Sequence, residues 1–288
     1  MILGIRFGPA GASDSFSKEK GKTSLDMPKW LHEHGLNAFE YQCGHGVRIG
    51  EEKAAELGRR GEDWDVRLSV HAPYYINLST MDPDIRVKTQ NHLMKSLRVA
   101  QAMKATTVVF HPGAGSKGDR REALLRAKGF LAEIMAEARD EGLGEIILAP
   151  ETMGKKNQLG SLEEVLELCE LGGQVRPAID FGHLHAVTGG ALVDKAAFAQ
   201  VLDLIQSRLG QSYLENLHVH FSPIEFTAGG EKKHRTTLDE GIGPEFAPLA
   251  ELLVERKMSP VIICESAGRQ AEDAVFYRGV YEQLMHRM

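Results

Sequence analysis

Residues 145–154 read EIILAPETMG and place a carboxylate, Glu151, directly after a short apolar run. The apolar, β-branched residues predict a buried strand, and the polar, glycine-containing residues that follow predict a loop. The same layout, a short apolar run that ends in a histidine or an acid, recurs along the chain at residues 69–71, 109–111, 178–180, 218–220 and 263–265. Six such strand ends in one chain predict a shared site.

On both sides of this stretch the chain alternates between predicted strands and predicted helices. The strands are expected at residues 2–7, 37–42, 66–71, 106–111, 145–151, 176–181, 214–221 and 260–265. Helices are expected at residues 24–34, 82–103, 119–141, 194–209, 244–256 and 270–287. One more helix is expected to end near residue 60, and another to begin at residue 161. The longest irregular loop is expected after the seventh strand.

Eight strand-helix units without a break in composition predict a single (β/α)8 TIM barrel domain over residues 1–288. A doubly wound open sheet is the alternative. The glycine-rich dinucleotide fingerprint that would favour such a sheet is missing after the first strand.

Composition and the distribution of apolar residues indicate the compartment in which the protein is expected. Its three cysteines, Cys43, Cys169 and Cys264, form no close pair, which argues against disulfides or a thiolate zinc site. The N-terminus lacks the apolar core of a signal peptide, and no later run reaches bilayer length. We therefore expect a cytoplasmic monomer with no membrane association. A net charge of -6 gives no overall attraction to nucleic acid, although local charge can outweigh the total.

The carboxyl ends of barrel strands meet at one face, so the residues that end them should share a cavity. They are His71, His111, Glu151, Asp180, His220 and Glu265, with His183 three residues beyond Asp180. Any one of them alone would be read as a structural residue. Together they crowd carboxylates whose charges would raise one another's pKa unless a cation is present. Imidazoles and carboxylates are the ligands of Zn²⁺ and Mn²⁺, so the set predicts a metal cluster.

The motifs around these residues resemble those of endonuclease IV, the zinc-dependent apurinic/apyrimidinic endonucleases. They are HAPYYINL at 71–78, FHPG at 110–113, PETMG at 150–154, IDFGH at 179–183 and CES at 264–266. The resemblance extends over nearly the whole chain and implies a TIM barrel that holds up to three zinc ions, with Mn²⁺ as the alternative metal.

The resemblance also implies a role for each site residue. By analogy the first metal is held by His71, His111 and Glu151. Glu151 bridges to the second metal, whose other ligands are Asp180, His220 and Glu265. The third metal is reached by His183 and His234.

The implied reaction is hydrolysis of the phosphodiester 5′ to an abasic nucleotide in DNA, a step of base excision repair. A hydroxide that bridges the first two metals attacks phosphorus, and Glu151 is the catalytic residue that positions it. Tyr74 matches the family tyrosine that lies against the DNA, and the damaged sugar must be flipped out of the helix.

Three segments depart from the family. The residues after the seventh strand read FSPIE (221–225) instead of Asn-Asp-(Ser/Ala)-Lys. The loop after the second strand, which in the family inserts an arginine into the DNA groove, reads CGHGVR (43–48), and Arg48 is expected to bind the substrate in its place. Lys232-Lys233-His234 replaces the family's Asp-Arg-His, so the third site lacks its carboxylate. Three alternatives stay open for that site: a weak ion, no ion, or a ligand such as Glu231 in its place.

Basic residues cluster in the loops of the same face, as expected for an acidic or phosphorylated substrate. Of these, Lys155 and Lys232 are the predicted substrate-binding residues. The others are Lys20, Lys22, Lys117, Arg120, Arg121, Lys156, Lys233, Arg235 and Arg269.

A second enzyme class fits part of the set. Sugar isomerases and epimerases of the xylose-isomerase-like barrels hold one metal with a Glu, Asp, His, Glu set, for which Glu151, Asp180, His220 and Glu265 would serve. Two glutamates then exchange protons beside a carbonyl. Such an enzyme has no need of His71 and His111, which favour the endonuclease. A binding module without catalysis is the third alternative.

Overall fold

The computed structural model describes residues 4–115 and 118–287. Ile2 and Leu3 of the first predicted strand, and Lys117, lie outside the described residues. The strands are β1 (Arg6–Pro9), β2 (Ala38–Gln42), β3 (Arg67–His71), β4 (Thr107–Phe110), β5 (Gly113–Ala114), β6 (Ile147–Pro150), β7 (Gln158–Leu159), β8 (Ala178–Asp180), β9 (His218–Phe221), β10 (Ile224–Thr227), β11 (Gly230–His234) and β12 (Val261–Cys264).

Eight of these strands close into a parallel barrel. One sheet has the order β1-β12-β9-β8 and the other β2-β3-β4-β6, with parallel pairing throughout. Single bridges join the two sheets, between Ala10 and Glu40 on one side and between Glu151 and Ala178 on the other. The predicted TIM barrel is thus confirmed.

Helices surround the barrel and connect its strands. They are α1 (Asp14–Lys18), α2 (Met27–Glu33), α3 (Glu51–Asp63), α4 (Pro83–Ala102), α5 (Arg120–Asp140), α6 (Leu162–Cys169), α7 (Phe181–Val187), α8 (Lys195–Leu209), α9 (Gln211–Glu215), α10 (Ala247–Glu255) and α11 (Gln270–Met285), with a 3-10 helix (Ser24–Asp26) before α2. Within the described ranges, no helix has the length and apolarity that a bilayer crossing requires.

Side-chain caps define where the long helices begin. The Asp82 carboxylate accepts hydrogen bonds from the first turn of α4, and Asp119 does the same for α5. Ser161 and Glu164 form a capping box at the start of α6, where a helix is expected from residue 161. Each such cap contributes about 1 kcal/mol and fixes where the preceding loop must end.

The strands separate an apolar layer, which packs against the helices, from a polar barrel interior. Val219 of β9 faces the helices and belongs to the main core, while His218 and His220 face inward. Small apolar clusters fill part of the barrel, one of them made by Ala10, Ala38 and Ile263. The rest of the barrel interior is polar, whereas the interior of a TIM barrel is usually filled by branched apolar side chains.

The segment after β9 differs from the irregular loop that the sequence predicts. It contains the antiparallel hairpin of β10 and β11. β10 (IEFT) alternates apolar and polar residues over only four positions, and β11 (GEKKH) is largely polar, so the signal for this pairing was too short to predict it. Gly230, with a φ of 103°, lies where β11 begins, and the amide of its neighbour Glu231 donates to the Gly154 carbonyl at 2.7 Å. The hairpin is therefore docked on the loop after β6.

Candidate metal centre

Glu151 lies at the centre of the polar interior, directly after β6, and is fully buried. Its Oε2 is 3.2 Å from Nε2 of His71 and 3.2 Å from Nε2 of His111. Its Oε1 is 3.3 Å from Nδ1 of His220 and 3.3 Å from Nδ1 of His183. The two oxygens of one carboxylate thus face two separate groups of donors.

The spacing of these donors fits a divalent cation. Two ligands of a tetrahedral zinc ion, each at 2.0–2.1 Å from the metal, lie about 3.3 Å apart. Donor atoms lie within 4.8 Å of one another in each of two sets: one of His71, His111 and Glu151, and one of Glu151, Asp180, His220 and Glu265. In addition, Oδ2 of Asp180 is buried without a hydrogen-bond partner. A cation would satisfy that orphaned acceptor, so the residues present fit the metal that the sequence predicts.

Backbone contacts orient two of the imidazoles. Nδ1 of His71 donates to the Ala72 carbonyl at 2.8 Å, and Nδ1 of His183 donates to the Thr152 carbonyl at 2.8 Å. Each ring therefore keeps the lone pair of Nε2 for a ligand. Such a bond from the second ring nitrogen is the usual companion of a metal-binding histidine.

His220 lies between carboxylates instead. Its Nε2 lies 3.0 Å from Oε1 of Glu40, and its Nδ1 lies 3.5 Å from Oε1 of Glu265. Sequence reasoning missed Glu40 because it lies in the middle of β2 and not at a strand end. A signal was available, since a charged residue between Phe39 and Tyr41 alternates with the apolar face of the strand.

Burial and mutual contact shift the pKa values of the cluster. Burial raises the pKa of Asp180 to about 6. Burial would also raise the pKa of Glu265, but the charge of His220 outweighs it and lowers that pKa to about 2. Burial disfavours charge on His183 and His220 too, yet the surrounding carboxylates raise both pKa values well above 6.5. The metal-free cluster thus holds protons where a cation would bind.

An open cleft of about 520 Å³ gives access to the cluster from the C-terminal face of the barrel. Tyr74, half exposed, lines it, and its ring centroid lies 5.5 Å from that of His111. Lys155 also lines the cleft and is exposed. The structure therefore brings two of the predicted substrate-binding residues to the site.

The other two predicted substrate-binding residues lie differently. Arg48 is exposed in the segment between β2 and α3. Lys232 is exposed and pairs with Glu225, and it is not among the described residues that line the cleft. Several further basic residues of this face are engaged in ion pairs, namely Arg120 with Glu164, Arg121 with Glu167 and Arg235 with Glu225. The basic loops thus offer less free positive charge than the sequence suggests.

A third group of donors lies near the hairpin: those of His183, His234 and Glu265 are within 4.8 Å of one another, and Glu231 lies beside them. Oε2 of Glu231 is 3.5 Å from Nε2 of His183, and Oε1 of Glu231 is 3.7 Å from Nε2 of His234. A β-bulge makes this possible: Phe226 pairs with Glu231 and Glu225 with Lys233, which leaves Lys232 as the extra residue. Glu231 and His234 consequently face the same side of the hairpin.

Comparison with known proteins identifies the family of this chain and supports its fold. A sequence profile described as xylose isomerase-like TIM barrel matches residues 28–280. An uncharacterized protein of Methanocaldococcus jannaschii is 30% identical over 287 residues, which are 99% of this chain and 98% of that protein. A probable endonuclease 4 of Mycoplasma pneumoniae is 28% identical over 180 residues, which are 61% of this chain and 59% of that protein.

Two solved structures show the same fold at low identity. Endonuclease IV from Thermus thermophilus superposes with a TM-score of 0.71 at 18% identity, covering 98% of this chain and 100% of that one. A D-tagatose 3-epimerase-like protein superposes with a TM-score of 0.71 at 20% identity, covering 98% and 99%. Since the family profile covers most of the sequence, the chain belongs to the xylose isomerase-like TIM barrel family.

Proposed function

We propose that this protein is a metal-dependent phosphodiesterase that cleaves DNA on the 5′ side of an abasic nucleotide. The observation that carries the proposal is the position of Glu151, with one oxygen beside each of two donor sets. His71 and His111 complete the first set. The relatives named probable endonuclease 4 add support from the sequence.

The chain's own residues have distinct tasks in this reaction. Divalent cations, when bound, supply a nucleophile at neutral pH and neutralise the charge that develops on the phosphate. Glu151 would contribute to holding both cations, because one of its oxygens faces each donor set. Lys155 attracts the DNA backbone into the cleft, and Tyr74 offers an aromatic face to the flipped sugar. Catalysis then depends mainly on positioning and electrostatics.

A third cation completes the proposed centre. Its ligands would be Nε2 of His183, Nε2 of His234 and the carboxylate of Glu231. Ser222 supports this assignment, because its hydroxyl lies 2.7 Å from Nδ1 of His234 and leaves Nε2 of that ring for a ligand. Of the three alternatives that the sequence left open, this one has the support of the hairpin geometry.

The second candidate function is that of a one-metal sugar isomerase or epimerase. The epimerase-like structure is as similar in fold as the endonuclease. Glu151 and Glu265 would then be the pair that moves protons. This alternative leaves His71 and His111 without a task, although both contact Oε2 of Glu151. The endonuclease therefore accounts for more of the buried polar residues.

Incision of a defined duplex tests the proposal. The substrate is a duplex with a single tetrahydrofuran abasic analogue, which cannot undergo lyase chemistry, so any nick must be hydrolytic. Zinc-reconstituted protein should cut it on the 5′ side of the lesion. Glu151→Ala, checked for its fold by circular dichroism, should lose the activity and also serves as the control for contaminating nuclease.

The opposite outcome also has a clear meaning. A folded, metal-loaded protein that leaves the duplex intact would sink the DNA proposal. Conversion of ketoses to their epimers by the same preparation would then establish the second candidate. Full incision by Glu151→Ala would show that the bridging role assigned to this carboxylate is wrong.

A further inference from the structure

The floor beneath the cluster holds a buried carboxylate that none of the proposed cation positions uses. Glu40 is fully buried, and it accepts a hydrogen bond from Ser69 Oγ at 2.9 Å. Its Oε2 is 2.8 Å from Nε2 of His218, and its Oε1 is 3.0 Å from Nε2 of His220. Burying a carboxylate is costly unless it is paired, so these contacts explain how Glu40 is tolerated. They do not explain why the barrel has a carboxylate there.

The geometry gives Glu40 a role in orienting His220. A neutral imidazole carries one N–H, and which nitrogen bears it depends on the hydrogen bond that the ring makes. Where a cation takes the place of the proton on Nδ1, which faces Glu151 and Glu265, the remaining N–H of His220 is on Nε2, 3.0 Å from Oε1 of Glu40. His218 and Ser69 hold the second oxygen of Glu40, so the carboxylate cannot rotate away from His220.

We propose that Glu40 is a positioning residue for the second cation site, which fixes the tautomer of His220 and strengthens Nδ1 of that ring as a ligand. A carboxylate that accepts the second N–H of a metal-bound histidine makes the imidazole a more basic donor. The proposal rests on the metal-dependent reading of the site, and it does not depend on whether the substrate is DNA or a sugar.

Metal affinity is the direct test. Apo-protein is titrated with Zn²⁺ in competition with a chromophoric chelator, which resolves the ions by their affinity. Glu40→Gln should weaken one ion per chain by about 10–100-fold, the range found for such supporting residues, and leave the most tightly held remaining ion unchanged. Ser69→Ala is the graded comparison, because it removes one of the two bonds that hold Oε2 of Glu40 and leaves the contact of Oε1 with His220 in place. Its effect should be much smaller.

A spectroscopic measurement separates orientation from simple loss of packing. In Co²⁺-loaded protein the ring N–H of each ligand histidine gives a strongly shifted proton resonance that disappears in D₂O. The signal of the Nε2 proton of His220 should be present in the wild type and shifted or lost in Glu40→Gln. A purely structural role for Glu40 would leave it in place, even if the thermal stability of the protein fell.

Wild-type affinity for every ion and an unchanged Co²⁺ spectrum in folded Glu40→Gln would overturn the proposal. If that variant fails to fold, Glu40→Asp replaces it. Aspartate keeps the charge but withdraws the carboxylate from His220 by one methylene, so weaker binding of one ion supports the proposal and unaltered binding overturns it. If Glu40→Gln binds one ion more weakly but the wild-type protein does not cut the abasic duplex, the result counts against the proposed substrate and not against the role of Glu40.

Discussion

The carboxylate of Glu231 lies 3.5 Å from the imidazole of His183, although the two residues belong to different loops of the barrel. His183 is in α7, which follows β8, whereas Glu231 lies near the start of the second strand of the hairpin after β9. The contact exists because the bulge at Lys232 turns Glu231 inward. This position is the basis of the proposal that Glu231 supplies a carboxylate to the third donor set.

Glu231→Gln tests whether that replacement binds a cation. The amide retains the size of the carboxylate but loses its charge, so it is a far poorer ligand for Zn²⁺. We expect one metal ion fewer per chain after dialysis against buffer, measured by elemental analysis. Lys232→Ala is the control and should retain the full complement, because Lys232 pairs with Glu225. An unchanged metal content in Glu231→Gln would contradict the assignment and leave the third position to His183, His234 and Glu265.

Gly154→Ala should disturb the same position without changing any ligand. A Cβ atom at residue 154 would lie 2.7 Å from Cβ of Glu231 and 2.7 Å from Cδ2 of His183. The hairpin must therefore move off the loop after β6, and overpacking of this kind typically costs about 1–3 kcal/mol. We expect a lower free energy of unfolding in urea and the loss of one bound ion.

Gly129→Ala is the matched control for the glycine substitution. Gly129 lies within α5, and nothing lies within 4 Å of the Cβ that alanine would add there. Alanine in a helix interior should stabilise the protein by roughly 0.5–1 kcal/mol, with no change in bound metal. If both variants bind the same number of metal ions per chain, the close packing at Gly154 is not needed for metal binding.

Local signals were sufficient to predict the barrel. Asp82, Asp119 and Ser161 mark helix starts in the sequence and form caps in the structure. The short helices α1, α7 and α9 were missed because five to seven residues do not complete the periodic pattern that identifies a helix. Phe181, for example, was expected to end a strand and instead begins α7.

The site was predictable where a residue ends a strand and was missed where tertiary pairing decides. His71 and Glu151 follow directly from their places at the carboxyl ends of apolar runs. Glu40 was missed, and Glu231 stayed one of three alternatives, because the first contacts His220 only when the barrel closes and the second is turned inward by a bulge. Neither barrel closure nor a bulge is encoded by spacing along one segment.

Metal binding should release protons and weaken as the pH falls. The carboxylates of the cluster raise the pKa values of His183 and His220 well above 6.5 even though burial opposes this. A metal must displace these protons, so the affinity for Zn²⁺ should rise with pH through the neutral range. Calorimetric titration in buffers with different ionisation enthalpies counts the protons released. A heat that is independent of the buffer would show that the imidazoles are already neutral.

The metal-free protein should show the complementary effect on its own stability. Because the folded-state pKa of each histidine lies above its unfolded value, the stability that protonation contributes is fully present below pH 6.5. It is lost as the pH rises through the folded-state values. We therefore expect the melting temperature in chelator to fall on the alkaline side of neutrality, whereas zinc-loaded protein should not share that decline. Parallel curves with and without zinc would contradict this assignment of the protons.

Lys155 and Lys232 were predicted together as substrate-binding residues, and the structure now separates their expected effects. Lys155 is exposed in the cleft, while Lys232 pairs with Glu225. Lys155→Ala should weaken binding to an abasic duplex and lower the slope of log affinity against log salt by about one, as expected for one lost phosphate contact. Lys232→Ala should leave both nearly unchanged. Fluorescence anisotropy at several salt concentrations measures the slopes, and an equal loss in the two variants would mean that DNA also reaches the outer face of the hairpin.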